Sequence, residues 1–141
     1  MGLFRSEPRP SFLGVKLGKL SPVYKGKKNS VSSQTDDIMF QIDPFPYTGL
    51  LEEARKRLTR AIRNMPRHHI VHLERDYIYV EFKVSLFGGM DDTEFYFDDP
   101  RKVIHVRSAA RAEDDDKGRN RNRVENIRDE FNKAEFADHQ Q

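Results

Sequence analysis

Arginine side chains concentrate in residues 103–131, where a predicted strand, an acidic turn and a basic helix follow one another. Guanidinium groups bind carboxylates and phosphates through paired hydrogen bonds, and the amino end of a helix favours an anion. We therefore predict a non-catalytic site at this junction for a small anionic ligand or a protein partner, closed by the polar loop at residues 29–34. The predicted ligand-binding residues are Arg107, Ser108, Arg111, Asn120, Arg121, Arg123, Asn29, Ser32 and Ser33. The predicted supporting network consists of Asp92, Glu94, His105 and Lys83.

The same arginines have an alternative, architectural interpretation. Charged side chains that are held in place usually have partners of opposite charge within the protein. Arg107 would then pair with Asp92, and the other arginines would pair with the acidic residues 113–115. In that case the arginines lock the junction together and bind nothing. The sequence leaves both interpretations open.

A hydrolase is the enzymatic alternative. Glu94 and His105 are expected to lie within hydrogen-bonding reach on neighbouring strands, where they would serve as a base and its orienting partner. The two side chains would equally satisfy each other on a solvated sheet face. No serine stands in the G-x-S-x-G sequence of a nucleophile elbow. We therefore predict no catalytic residue.

The histidines and the absence of cysteine restrict the chemistry further. Residues 68–72 predict a strand, in which His68 and His72 stand about 13 Å apart and His69 points the other way, beyond the reach of one ion. The chain contains no cysteine, which excludes disulfides, cysteine-ligated metals and thiolate chemistry by the protein itself. We predict neither a metal nor a cofactor.

The composition indicates one strongly solvated domain. The chain has 141 residues, 34% of them charged, and a net charge of +2, with a mean hydropathy of -0.83. Its apolar runs are too short to span a bilayer, and its N-terminus lacks the apolar region of a secretory signal. We expect a cytoplasmic monomer without a transmembrane segment. Its predicted parts are a flexible basic tail over residues 1–16, a domain over residues 17–136 and a disordered tail over residues 137–141.

Hydrophobic periodicity predicts the elements that position these residues. A helical stripe of apolar side chains comes first, over residues 50–65, and a second helix is predicted over residues 118–134 with Asp115 or Asp116 as its N-cap. Between them lie strand-like runs at residues 70–74, 77–87, 91–97 and 102–110. The predicted fold is α+β. It is a two-layer sandwich in which a four-stranded antiparallel meander carries two helices on one face, preceded by an extended N-terminal arm.

Turn signals at Gly88-Gly89 and Asp99-Pro100 predict the strand register, and with it a polar second face of the sheet. This face carries two ladders and three tyrosines: Lys83, Glu94 and His105; Ser85, Asp92 and Arg107; and Tyr77, Tyr79 and Tyr96. A nucleic-acid-binding module that stacks bases on the tyrosines is a second alternative function. The acidic side chains on the same face would repel phosphates. Nucleic acid is therefore not the expected partner, and the apolar N-terminal arm is the expected cover.

Several motifs in a fixed order resemble one known family. They are N-x-V-S-S-Q from Asn29, D-D-x-E-F from Asp91, V-R-S-A from Val106 and G-x-N-R-x-R-x-E from Gly118. Together they resemble the domain-of-unknown-function family fourteen-ninety-nine, found in bacteria and plant plastids. The resemblance runs from about residue 17 to residue 131 and implies no activity. This chain departs from the family in being unusually acidic at residues 113–115.

Overall fold

Two helices and six strands make up the described part of the chain. The computed structural model describes residues 7–140, with side chains for residues 7–133. The outermost parts of the two predicted tails, residues 1–6 and residue 141, lie outside the described residues. The strands are β1 (Ser30–Ser32), β2 (Phe45–Pro46), β3 (His68–Leu73), β4 (Tyr77–Ser85), β5 (Gly88–Asp98) and β6 (Val103–Ala110), and the helices are α1 (Leu51–Arg63) and α2 (Arg119–Gln140).

The strands form one sheet in the order β1-β6-β5-β4-β3, and β2 also pairs with β6. These ladders are antiparallel. The prediction of an α+β fold with a mostly antiparallel sheet and two helices is confirmed. Within the described residues the sheet has six strands instead of four, because two short N-terminal segments pair with the outer edge of β6. That pairing satisfies backbone groups which an open edge would leave exposed.

The predicted register between β4 and β5 is wrong, because the turn lies ahead of the two glycines. Ser85 lies opposite Gly88, and Lys83 therefore lies opposite Met90 instead of Glu94. Ser85 Oγ accepts a hydrogen bond from the Phe87 amide (3.1 Å) and donates one to the Gly88 carbonyl (3.2 Å). These two bonds stabilise a turn at residues 86–87 that the glycine signal alone did not indicate.

The predicted register between β5 and β6 is also wrong, because the connection is longer than a two-residue turn. A 3-10 turn at Asp99–Arg101 is followed by Lys102 in the left-handed conformation, so Asp98 lies opposite Val103. Glu94 consequently faces Arg107 instead of His105. Both register errors are even numbers of residues, and an even shift leaves every side chain on its predicted face.

Both helices contribute to one hydrophobic core on one face of the sheet. Helix α1 lies within its predicted range, with acidic side chains in its first turn and arginines in its last. Helix α2 begins close to the predicted residue 118 but continues past the predicted end at residue 134 to Gln140. Asp116 accepts hydrogen bonds from the amides of Gly118 (3.0 Å) and Asn120 (3.1 Å) at the start of α2. The core is formed mainly by Leu58, Ile62, Ile78, Val80, Phe82, Phe95, Phe97, Ile104, Val106, Val124, Ile127 and Phe131.

The opposite face of the sheet is covered by residues 7–20, which we call the N-terminal arm. A second apolar cluster joins Leu20 of the arm to Tyr77 and Tyr79 of β4, with Leu13 and Val15 packed against it. The arm therefore covers the polar face of the sheet. No helix in residues 7–140 is long and apolar enough to cross a membrane.

Candidate functional site

The predicted arginine site is divided between the two faces of the sheet. Successive side chains of a strand point to opposite faces, so Arg107 and Ser108 of β6 separate. Arg107 lies under the N-terminal arm, whereas Ser108 lies beneath α2. The site residues thus form two groups. The helix-side cluster consists of Asp91, Thr93, Ser108, Asp116, Arg119, Asn120 and Arg123, and the arm-side cluster of Tyr77, Tyr79, Glu81, Asp92, Glu94, Arg107 and Arg111.

The helix-side cluster is built around Asp91, whose side chain is fully buried. Arg119 donates two hydrogen bonds to this carboxylate, from Nε (2.7 Å) and from Nη2 (2.6 Å). Arg123 adds an ion pair at 2.8 Å from Nη1 to Oδ2. Burial alone would raise the pKa of Asp91, but the hydrogen bonds and charges of the two arginines lower it below its ordinary value. Asp91 therefore ties the start of α2 to the sheet.

A chain of side-chain hydrogen bonds completes the helix-side cluster. Ser108 Oγ lies 2.7 Å from Thr93 Oγ1 and donates to Asn120 Oδ1 at 2.6 Å. Asn120 Nδ2 in turn donates to Asp116 at 2.7 Å. Asn29, the residue before β1, donates to the Glu113 carbonyl at 2.7 Å and so holds the acidic turn beside that strand. Each of these predicted site residues has an internal partner, which supports the architectural interpretation for this half of the set.

The arm-side cluster begins with a network around Arg111. Arg111 donates to Asp92 from Nε (2.9 Å) and from Nη2 (2.8 Å), and its Nη2 also bonds to Glu81. Tyr79 donates to the same aspartate, and Arg9 of the arm donates to Glu81 at 2.9 Å. The predicted pairing of Arg107 with Asp92 is therefore replaced by a pairing of Arg111 with Asp92.

Arg107 and Glu94 form a second, less complete pair in the same cluster. Glu94 is inaccessible and Arg107 is 4% exposed. Arg107 Nη1 and Glu94 Oε1 lie 3.9 Å apart, which is an ion pair but too long for a hydrogen bond. Glu94 Oε2 accepts the amide of Gly14 (2.7 Å) and the hydroxyl of Tyr77 (2.5 Å). Among the described residues, Arg107 Nε and Glu94 Oε1 have no hydrogen-bond partner.

Comparison with known proteins assigns the chain to a family. A family model described as "Protein of unknown function (DUF1499)" matches residues 20–131, most of the 141-residue chain. The chain belongs to the DUF1499 family. No curated protein and no solved structure matches the chain at a significant level. The family motifs occupy defined places in this DUF1499 domain: V-R-S-A lies on β6, and G-x-N-R-x-R-x-E opens α2.

The remaining predicted residues of this DUF1499 domain form no hydrogen bond or ion pair with Arg107 or Glu94 in the described part of the chain. His105 Nδ1 lies 3.2 Å from Ser33 Oγ, and its Nε2 lies 3.9 Å from Asp98. Arg121 donates to the carbonyls of Gln41 (2.8 Å) and Met39 (3.4 Å) outside both clusters. Lys83 is exposed. Ser32 is buried and lies opposite Arg107 in the sheet, and its Oγ accepts the Gln34 amide at 3.1 Å.

The geometry also bears on the nucleic-acid and metal interpretations. Tyr77 and Tyr79 are 8% and 1% exposed and bonded to carboxylates, so they offer no open stacking surface. Among the described residues, no group of three or more His, Asp or Glu side chains is placed to hold a metal ion.

Sequence reasoning missed several members of both clusters. Arg119 lies in the same basic run as Arg121 and Arg123, and the Asp91-Asp92 pair on one strand signals a carboxylate on each face of the sheet. Arg119 could therefore have been found from the basic run, and Asp91 from the alternation of the strand. Gly14 contributes a backbone amide to Glu94, and no side-chain pattern marks such a contact.

Glu94 should make stability depend on pH in a characteristic direction. Burial raises its pKa above the ordinary value of 4.5, outweighing the hydrogen bonds from Tyr77 and Gly14 and the charge of Arg107. A raised carboxyl pKa contributes stability below 4.5 that is lost as the pH rises through the folded-state pKa. Glu94→Gln cannot lose a proton. We therefore expect the variant to gain stability relative to the wild type as the pH rises from 4.5, measured by urea unfolding at a series of pH values.

Asp91→Asn is the matched control for this pH dependence. The lowered pKa of Asp91 contributes stability above the ordinary value of 3.8 that is lost as the pH falls through the folded-state pKa. This variant should therefore lose stability relative to the wild type as the pH rises towards 3.8, and the difference should stay constant at higher pH. The trend is opposite in sign to that of Glu94→Gln and lies at lower pH. A stability difference for Glu94→Gln that is constant with pH would contradict the assignment of a raised pKa.

Proposed function

We propose that this DUF1499 domain is a non-catalytic binding domain, and that its ligand is a small anionic molecule held by Arg107 and Glu94 beneath the N-terminal arm. The observation that carries this proposal is the incomplete bonding of two buried charged groups. Arg107 Nε and Glu94 Oε1 have no hydrogen-bond partner among the described residues. Arg107 would donate hydrogen bonds to the anionic group of the ligand. Glu94 would accept a hydrogen bond from a separate N–H or O–H group of the same ligand.

Energetic reasoning supports a functional role for this pair. Burial of a charged group costs several kcal/mol unless its hydrogen bonds are completed, and apolar side chains of similar size are often neutral or better for stability. Burial lowers the pKa of Arg107 and raises that of Glu94, so each group is pushed towards its neutral form. Burial of Arg107 and Glu94 destabilises the free protein, and a ligand that completes their hydrogen bonds would explain why both charged residues are present.

Two grooves adjoin Gly14, the residue of the arm that donates its amide to Glu94. One groove of about 570 Å³ is lined by residues of the arm and by Tyr77, Tyr79 and Tyr96. A second groove of about 790 Å³ includes Ser32, which lies opposite Arg107 in the sheet. Gly14 lines both grooves and donates its amide to Glu94. Arg107 and Glu94 line neither groove, so the proposal requires the segment around Gly14 to be displaced when the ligand binds. Each groove volume lies in the usual range for small-molecule sites.

The test is a thermal-shift screen of anionic metabolites against the wild type and Arg107→Met. A ligand at a concentration about a hundredfold above its Kd should raise the Tm of the wild type by roughly 5–10 °C. Arg107→Met keeps an unbranched side chain against Phe12 but lacks the guanidinium, so we expect it to show no shift with the same compound. Arg107→Lys retains the charge without the paired donors and should show an intermediate shift.

Arg121→Met is the matched control, because Arg121 bonds to two backbone carbonyls outside the cluster. It should respond to the ligand as the wild type does. Equal shifts in the wild type and Arg107→Met, or no shift with any compound, would contradict the proposal.

A hydrolase is the second candidate, and one geometrical observation favours it. His105 lies between Ser33 Oγ (3.2 Å) and Asp98 (3.9 Å), which is the order of nucleophile, base and orienting acid, although the Asp98 distance is too long for a hydrogen bond. This arrangement differs from the predicted pair of Glu94 and His105, because the register places Arg107 opposite Glu94. Hydrolysis of activated esters that is lost in Ser33→Ala and retained in Glu94→Gln would favour the enzyme over the binding domain.

A further inference from the structure

We infer that this domain docks onto an anionic lipid surface through three neighbouring loops. The loops comprise residues 16–19, 24–28 and 37–39, and together we call them the loop surface. The inference does not depend on the proposed ligand site, because the apolar residues that carry it lie outside the arm-side cluster.

The loop surface presents apolar side chains to solvent. Leu17 is 102% exposed, Ile38 is 87% exposed, Tyr24 is 66% exposed and Met39 is 59% exposed. Exposed apolar residues are ordinary when they are scattered singly. A group of them on adjoining loops is characteristic of an interaction surface.

Hydrogen bonds and an ion pair hold the three loops beside one another. Gln34 accepts the Leu20 amide (2.9 Å) and donates to the Gly18 carbonyl (3.0 Å), which fixes the first loop against the segment that precedes the third. Lys25 of the second loop lies 3.7 Å from Asp37 of the third. The exposed apolar side chains therefore belong to one region of the molecule.

The backbone holds Leu17 at the tip of a tight turn. Lys16 and Lys19 exchange two backbone hydrogen bonds, of 2.8 and 3.1 Å, around Leu17 and Gly18. Both central residues have positive φ, 53° and 76°, a combination that hairpin turns usually fill with Asn and Gly. Leucine is unfavourable in this conformation. Leu17 is strained and fully exposed, so it adds no packing to the folded domain. Its side chain could instead insert into the acyl boundary of a bilayer.

The charges around these side chains favour an anionic lipid. Lys16, Lys19, Lys25 and Lys28 are exposed on or beside the three loops. Lysine stems reach along an apolar surface while the ammonium stays at the headgroup level, and basic residues near a bilayer are attracted by anionic lipids. Three acids also lie on or beside the loops: Asp37 is paired with Lys25 and Asp114 with Lys27, whereas Asp36 is exposed. The four exposed lysines outnumber these acids. Apolar tips surrounded by lysines are the pattern of a protein that lies on a membrane without spanning it.

Co-sedimentation with lipid vesicles tests this inference. The full chain is mixed with vesicles of phosphatidylcholine and phosphatidylglycerol, and separately with vesicles of phosphatidylcholine alone. We expect sedimentation with the anionic vesicles only, and a decrease at raised ionic strength. Leu17→Ser combined with Ile38→Ser should weaken binding about tenfold or more, because two exposed side chains lose their transfer to the apolar phase. Lys16→Glu combined with Lys19→Glu should weaken it by a similar factor.

Leu86→Ser is the matched control. Leu86 is 94% exposed at the β4–β5 turn, away from the three loops, so its replacement should leave vesicle binding unchanged. Far-UV circular dichroism and Tm of all variants should match the wild type, because the substituted residues are exposed. Absence of binding to anionic vesicles would overturn the inference and direct the search to a protein partner. Equal binding to both vesicle types, or undiminished binding by the Leu17 and Ile38 variant, would also overturn it.

Discussion

Replacement of Asp91 by alanine should lower the free energy of unfolding by about 3–5 kcal/mol, because it leaves buried arginine charge without its partner. Asp91 is fully buried and is the acceptor for two arginines of α2. The side chain of Arg123 is only 12% exposed and lies over the ring of Phe82. It cannot reach water without disturbing the contact between α2 and the sheet. Urea unfolding monitored by circular dichroism measures this loss.

Glu113→Ala is the control for the Asp91 prediction, since Glu113 pairs with the same Arg119. That pair is at the surface, with the Glu113 side chain 43% exposed. We expect a change of about 0–1 kcal/mol, as for exposed ion pairs in general. If Asp91→Ala cost no more than Glu113→Ala, the helix-side cluster would not be what fixes α2 on the sheet.

Replacement of Phe45 by alanine should cost about 3–5 kcal/mol, the range for removing a fully buried aromatic ring. Phe45 lies on the two-residue strand β2 and is 1% exposed. Its ring contacts those of Phe95 (5.9 Å between centroids) and Phe131 (5.6 Å), and the guanidinium of Arg128 lies 4.4 Å from its centroid. Thermal or urea unfolding of the variant provides the measurement.

Leu50→Ala is the matched control for Phe45→Ala, because Leu50 is also apolar, lies nearby in the chain and is 70% exposed. A surface change of this kind should stay within about 0.5 kcal/mol. Similar small effects at both positions would mean that the segment before α1 adds little to the core, contrary to the ring contacts of Phe45 with Phe95 and Phe131.

The sequence predicted the elements that have strong periodicity. Helix α1 was predicted because its apolar residues recur at helical spacing between acidic and basic ends, and such a stripe has only one way to be buried. The faces of the sheet were predicted because alternation survives an even error in register. The registers themselves were not, since they depend on turn geometry. The Ser85 side chain stabilises the β4–β5 turn at a position ahead of the two glycines. The left-handed Lys102 makes the β5–β6 connection longer than a two-residue turn.

The candidate site was predictable only in part, for two physical reasons. Its residues were gathered by proximity in sequence, but Arg107 and Ser108 are adjacent in a strand and therefore point to opposite faces. The second reason is the arm. Its contacts with the sheet include the Gly14 amide on Glu94 and the Phe12 ring on Arg107. Neither contact follows from the pattern of the arm itself, because each depends on where the arm lies across the sheet.

The two clusters differ in a way that bears on function. In the helix-side cluster, buried Asp91 has two arginine partners and Asn120 both donates and accepts hydrogen bonds. In the arm-side cluster, Arg107 and Glu94 each retain a buried atom without a hydrogen bond within the described part of the chain. The helix-side cluster therefore fits a structural role, and we propose ligand binding at the arm-side cluster.

The most direct test of ligand binding is the NMR signal of the Arg107 Nε–H group, recorded in a nitrogen–proton correlation spectrum. Its loss in Arg107→Met identifies the cross-peak. On titration with an anionic compound that raises the Tm of the wild type, we expect this cross-peak to move, while that of Arg121 stays in place. A compound that binds without moving the Arg107 cross-peak would contradict the account, since it would place the site elsewhere on the domain.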